Sequence, residues 1–224
     1  MKVWWLNPET VAETPDLLAL LSPEERAQQQ RFIPPLKRHE YLVTRALVRT
    51  ILGEHLGLDP RAVQFTHNRW GRPEVPNLHF NVTHTEGLIA LLVSTQHEVG
   101  IDTERTARAP RLLALAPNVF APKELAALGA LPLDDRAHRA LTLWTLKESY
   151  IKARGMGLAL ALDGFAFEIG AHDIRLEVEP RLNDEGARWQ FQTLTHGEHL
   201  ISIALATTAR VHLELKQATL APPG

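Results

Sequence analysis

The 224-residue chain contains no cysteine, which excludes disulfides, thiolate metal ligands and a cysteine nucleophile together. It also lacks a dominant charge: 24 Lys and Arg stand against 26 Asp and Glu, a formal net charge of −2. A globally basic nucleic-acid binder is thereby excluded, and any anion site has to be a local grouping. There is no run of about twenty apolar residues that would suit a membrane-spanning helix. The opening stretch MKVWWLNPETVAETPD has no apolar signal-peptide core. The expectation is a cytoplasmic protein with no membrane or nucleic-acid partner. Lysine is scarce too, six residues against eighteen arginines.

A hydrophobic content of 45% is enough for one large core or two small ones. Two of the scarce lysines fall in Trp144-Thr-Leu-Lys147-Glu148-Ser-Tyr-Ile-Lys152-Ala-Arg-Gly155-Met-Gly157. This stretch is apolar nearly all round, as in a helix packed between layers. Charged groups are rarely buried there unless paired or bound to something. Glu148 and Lys152 are four apart and share a helical face. A solvated Glu–Lys pair and a ligand site both fit that spacing. Gly155 and Gly157 end the helix and allow a close backbone approach.

Earlier in the chain, residues 2–6 read as a strand. Ser22-Pro23-Glu24-Glu25 has the capping-box pattern of a helix start, and Pro34-Pro35 stops that helix. A longer helix is expected from Leu36 to His55, with Arg38, Arg45 and Arg49 along one face. That face is either solvated or an anion-binding edge suited to arginine's planar fork. Residues 63–66, 78–84, 87–94 and 99–104 read as strands, with turn chemistry at Asn68–Pro73. Asp102 and Glu104, two apart on a strand, present two carboxylates on one side. Residues 105–118 look like a basic, proline-punctuated connection, followed by a short helix near Pro122. After Gly157, strands are expected at 165–169, 174–178, 189–194 and 199–206, and a loose tail at Ala221-Pro-Pro-Gly224. Val82-Thr-His84-Thr-Glu-Gly-Leu-Ile-Ala-Leu-Leu-Val echoes Leu194-Thr-His196-Gly-Glu-His-Leu-Ile-Ser-Ile-Ala-Leu, which suggests two similar units with a site between them.

Three carboxylates without thiols suit a hard cation such as Mg²⁺, which takes its remaining oxygens from water and phosphate. The blocks Gly71-Arg72-Pro73, Phe80-Asn-Val-Thr83-His84, Gly100-Ile101-Asp102-Thr103-Glu104, Phe120-x-x-x-Glu124 and Trp144-x-x-Lys147-Glu148-x-x-x-Lys152 occur in order. Together they closely resemble the 4′-phosphopantetheinyl transferases of the surfactin-synthetase-activating type, over about residues 30–165.

The resemblance implies an α/β (α+β) fold of two similar, pseudo-symmetric subdomains, each a small, mostly antiparallel sheet packed with a long helix. The division is expected at residues 1–106 and 107–224, with the active site in the cleft between them and a monomer as the working form. The implied activity is Mg²⁺-dependent transfer of phosphopantetheine from coenzyme A to a serine hydroxyl of an acyl or peptidyl carrier protein. By the same resemblance Asp102, Glu104 and Glu148 would hold Mg²⁺. Glu148 would also take the serine proton, and Lys152 and Lys147 would meet phosphate. Thr83, His84, Arg49, Arg72 and Arg45 would bind coenzyme A. Thr103 and Arg72 stand where an apolar residue and a lysine also occur in the family. Two alternatives remain: a Mg²⁺-dependent phosphodiesterase or pyrophosphatase acting on coenzyme A, and a non-catalytic module that binds coenzyme A or a carrier.

Overall fold

The computed structural model describes residues 1–220, so the expected tail at Ala221–Gly224 lies outside the described residues. In chain order the elements are β1 (Lys2–Leu6), α1 (Pro15–Ala19), α2 (Pro23–Gln30), α3 (Pro35–Leu56), β2 (Thr66–His67), β3 (Pro73–Glu74), β4 (His79–Thr85), β5 (Leu88–Ser94) and β6 (Val99–Arg105). They continue with α4 (Ala109–Val119), α5 (Pro122–Ala130), α6 (Leu133–Arg154), β7 (Phe165–Ile169), β8 (Ile174–Val178), β9 (Gln190–His196), β10 (His199–Leu205) and β11 (Glu214–Gln217).

Local chemistry accounts for the long helices. α2 starts on a complete capping box, with the Ser22 side chain accepting from Glu25 N–H and the Glu25 carboxylate accepting from Ser22 N–H. Such a box satisfies two orphan donors at once. Both 22-residue helices end on glycine in the left-handed region, α3 at Gly57 (φ 66°) and α6 at Gly155 (φ 62°), a conformation that carries little penalty without a Cβ.

Strands β11-β1-β5-β4 form one sheet and β6-β10-β9 another. Every residue of β5 is buried because both of its faces are covered. Ile89, Leu91 and Val93 pack on α3 with Leu42, Ala46 and Leu47. Leu88, Ala90 and Leu92 meet Val99, Ile101, Ile201, Ile203 and Leu205 of the second sheet. The second sheet's other face carries α6, whose Leu146, Tyr150 and Ala153 share a core with Phe165, Phe167 and Phe191. The layers therefore run α3, first sheet, second sheet, α6.

The echoed segments are the two hairpins β4–β5 and β9–β10, both antiparallel. The order β1, α3, β4, β5 recurs as β6, α6, β9, β10, with matching strand orders β1-β5-β4 and β6-β10-β9.

Two expectations need correction, and the pairing of β6 bears on a third. Chain order placed the Asp102–Glu104 strand in the N-terminal unit, with the division at 106. β6 instead hydrogen-bonds along its length to β10, from Val99 opposite Leu205 to Arg105 opposite His199. β5 already has β1 on one edge and β4 on the other, so it offers β6 no free edge. The stretch 105–118, read as a connection, is mostly the helix α4. Pro110 sits in its first turn, where no backbone donor is needed, and Ala109, Leu112 and Ala116 are its buried positions. The strand expected at 63–66 shrinks to a two-residue pairing of Thr66–His67 with Pro73–Glu74.

Candidate active site

Gly100 sets the geometry of the site. A Cβ built there would lie 1.9 Å from the Ser149 carbonyl oxygen and 2.5 Å from Ala153 N, so only glycine lets α6 lie this close on β6. Period-two alternation then points Asp102 and Glu104 to the same side as Gly100. Ile101 on the other side enters the inter-sheet core. From α6, Lys152 Nζ donates to Asp102 Oδ1 at 2.6 Å and to Thr83 Oγ1 at 3.1 Å. Thr83 Oγ1 also donates to Asp102 Oδ1 at 3.3 Å. One residue from each of β4, β6 and α6 thus meets at a point.

The β4–β6 boundary is closed by side chains where no ladder forms. Asn81 Oδ1 accepts from Ile101 N–H at 2.8 Å and Thr83 Oγ1 from Thr103 N–H at 3.3 Å. Sequence reasoning passed over Asn81, although its place two before Thr83 puts it on the same strand face.

Electrostatics mark this spot. Asp102 and Glu104 are buried, 6% and 8% exposed, and Asp102 Oδ2 and Glu104 Oε2 have no hydrogen-bond partner. Burial raises the Asp102 carboxyl above its ordinary range against the pull of Lys152. Burial and the Asp102 charge raise Glu148 as well, with Lys152 acting the other way. Among the described residues, no three His, Asp or Glu side chains are gathered closely enough to hold an ion between them. The structure brings Asp102 and Glu104 together on β6 and leaves Glu148 as their electrostatic neighbour on α6.

Glu148 and Lys152 line a cleft of about 470 Å³ with Trp70, Arg72, Asn81 and Leu160. A larger cleft of about 820 Å³ lies under α2 and α3, beside Tyr41, Arg45, Arg49 and Phe65. The smaller one reaches the buried carboxylates through Lys152, which lines it and donates to Asp102.

Several expected ligand residues are engaged elsewhere. The Lys147 ammonium is fully buried, pairs with Glu124 at 2.9 Å, and donates to the Leu162 and Phe165 carbonyls at 2.7 Å each. All three of its donors are used, so it does not meet a phosphate. Burial lowers its proton affinity, with Glu124 opposing. Arg49 is 3% exposed and donates to Glu25 at 2.6 Å and to the Val63 carbonyl at 3.0 Å. Arg45 pairs with the same carboxylate. The arginine face of α3 therefore turns onto α2. Arg72 donates to the carbonyls of Ala153, Phe80 and Val99 at 2.7, 3.0 and 3.3 Å, which ties the two halves together at the cleft wall. Thr83 and His84 are adjacent on β4 and so face opposite ways. His84 Nδ1 meets Glu40 of α3, and burial lowers its proton affinity.

Comparison with known proteins gives the family. Residues 98–204 match the model of the 4′-phosphopantetheinyl transferase superfamily, a span that opens at β6 and closes in β10. The chain is similar to the 4′-phosphopantetheinyl transferase Sfp of Bacillus subtilis, 31% identical over 175 residues, covering 75% of this chain and 77% of Sfp. It is also similar to the 4′-phosphopantetheinyl transferase HetI of Nostoc, 35% identical over 150 residues, 64% of this chain and 63% of HetI. Among solved structures, holo-[acyl-carrier-protein] synthase from Neisseria meningitidis aligns with 49% of this chain and 96% of its own, at TM-score 0.42 and 19% identity. With Sfp matched over most of both chains, and with the Asp102–Glu104 strand and the Glu148–Lys152 helix inside the matched span, the chain belongs to the 4′-phosphopantetheinyl transferase superfamily.

Proposed function

We propose that the protein transfers the 4′-phosphopantetheine arm of coenzyme A to a serine hydroxyl of a carrier protein. The observation that carries this reading is the convergence of Lys152 on Asp102 beside two unpaired buried carboxylate oxygens, at the rim of a cleft that also holds Glu148. In the reaction the serine oxygen bonds to the phosphorus bearing the pantetheine arm. The bond from that phosphorus to the bridging pyrophosphate oxygen breaks, and adenosine 3′,5′-bisphosphate leaves.

Glu148 takes the serine proton, directly or through a water. Its raised proton affinity brings it toward the operating pH, where a general base is most effective. Lys152 is half-buried, and its ammonium suits a single phosphate oxygen and the charge that develops there. Asp102 and Glu104 would hold Mg²⁺, with Glu148 as their electrostatic neighbour. The orphaned oxygens Asp102 Oδ2 and Glu104 Oε2 and the all-oxygen donor set fit that ion. When bound, it would supply positive charge to the pyrophosphate.

We take the two units to divide between β5 and β6 and the working form to be a monomer in the cytoplasm. No helix among the described residues is long and apolar enough to cross a membrane.

The test is loading of apo carrier proteins from fatty-acid, polyketide and nonribosomal-peptide pathways, with coenzyme A and Mg²⁺, followed by mass spectrometry. A mass gain of one phosphopantetheine on at least one carrier is expected, and none across the panel would sink the proposal. Coenzyme A breakdown in the absence of carrier would favour a hydrolase instead.

A further inference from the structure

Both buried carboxylates of β6 already carry a cation. Lys152 Nζ lies 2.6 Å from Asp102 Oδ1, and Arg108 Nη1 lies 2.5 Å from Glu104 Oε1. On β6 two negative charges face two positive ones, and Glu148 on α6 adds a third negative charge beside them. The second oxygen of each carboxylate, Asp102 Oδ2 and Glu104 Oε2, remains buried and unpartnered. A divalent cation that entered with both residents in place would leave an uncompensated positive charge in a buried setting even with Glu148 ionised, which is costly. The excess is removed if a resident cation leaves, or if an anion arrives with the ion.

The two residents are not equally free to leave. Lys152 is 27% exposed, bonds Thr83 as well as Asp102, and sits on a helix packed into the core. Arg108 is 43% exposed and pairs with Glu104 from the single turn Thr106–Arg108 ahead of α4. Two carboxylates also supply fewer oxygens than a hard divalent cation takes, so phosphate oxygens and water have to complete its shell.

We infer that Arg108 is a place-holding counter-ion for Glu104. It neutralises Glu104 when no ion is bound, opposes entry of a divalent cation alone, and yields when the cation comes with a pyrophosphate-bearing ligand. This rests on the transferase reading, in which coenzyme A brings the pyrophosphate. Arg108 acts here through Glu104, as a positioning residue.

The experiment is Mn²⁺ binding followed by electron paramagnetic resonance, on the full chain, with and without coenzyme A. Wild type should bind Mn²⁺ about tenfold more tightly when coenzyme A is present, and coenzyme A should gain the same factor from Mn²⁺, since coupling is reciprocal. Arg108→Gln should bind Mn²⁺ alone about tenfold more tightly than wild type, a size typical of coupled sites, whereas Arg108→Lys should stay near wild type. Asp102→Asn should abolish the bound signal, which locates the ion. Equal affinity of wild type for Mn²⁺ with and without coenzyme A overturns the inference, and that comparison needs no variant. So does an Arg108→Gln affinity within twofold of wild type. Calorimetry with coenzyme A alone separates the two levels. No coenzyme A binding at all removes the transferase reading, whereas binding without ion coupling removes only the role of Arg108.

Discussion

At the scale of single residues, spacing decided more than residue type. Lys147 and Lys152 are five positions apart, about 140° around a helix at roughly 100° per residue, so they cannot share a face. Glu148 and Lys152, four apart, can. The turn of Lys147 away from the Glu148–Lys152 face was legible in those numbers, and the motif alone obscured it. Thr83 and His84 carry the same lesson for a strand. By contrast, nothing in the sequence says that Glu25 will neutralise Arg45 and Arg49, because that contact joins two helices. Lys147→Met should destabilise the fold by about 3–5 kcal/mol, the usual cost of stranding a buried carboxylate, here Glu124. Chemical denaturation measures the loss, and a loss under about 1 kcal/mol would mean the pair behaves like a surface one. Glu148→Gln should abolish loading while circular dichroism stays native, and near-normal turnover would remove Glu148 as the base. A raised Glu148 also has a signed consequence. The base works only when deprotonated, so kcat/KM should fall with decreasing pH through an apparent pKa above the ordinary carboxylate range. A profile flat down to pH about 4.5 would contradict the assigned role.

Among the elements, the α6–β6 crossing matters most. Gly100 admits α6 onto the strand, and Thr145 and Ser202 hold helix to sheet through hydroxyls 2.7 Å apart. Gly100→Ala should push α6 off β6. Overpacking of this kind costs about 1–3 kcal/mol, and loading should fall further than stability does, because the displacement separates Lys152 from Asp102. A variant that loses stability but retains full activity would show that the crossing only supports the fold. The sequence showed α6 well, since its apolar character, its terminal glycine and its charged pair are all local signals. It hid α4, because prolines at 110 and 117 read as loop punctuation when one opens the helix and the other lies near its end. Reading α4 correctly would also have placed the turn that presents Arg108, four residues after Glu104.

For the whole molecule, the shared core explains why the units are hard to separate by eye in the sequence. Leu88, Ala90 and Leu92 of the first sheet share one buried core with Val99, Ile101, Ile201, Ile203 and Leu205 of the second. Alternation along each strand predicts a buried face, but it does not say which sheet supplies the cover. That is why the pattern alone does not say which half β6 joins. Arg72, bonded to Phe80, Val99 and Ala153, and Asn68, bonded to the Gly155 carbonyl at 2.9 Å, join the halves again at the cleft. The repeat in topology therefore does not amount to two independent folding units. Residues 99–220 expressed alone should expose the inner face of β6 and β10, an apolar patch of the kind that drives association. The fragment should bind hydrophobic dye, self-associate in sedimentation, and lack a cooperative thermal transition. The intact chain should unfold in one transition, coincident by tryptophan fluorescence and circular dichroism. A monomeric 99–220 fragment with its own sharp transition would mean that the inter-sheet core is dispensable, and that Arg72 and Asn68 join two domains already complete in themselves.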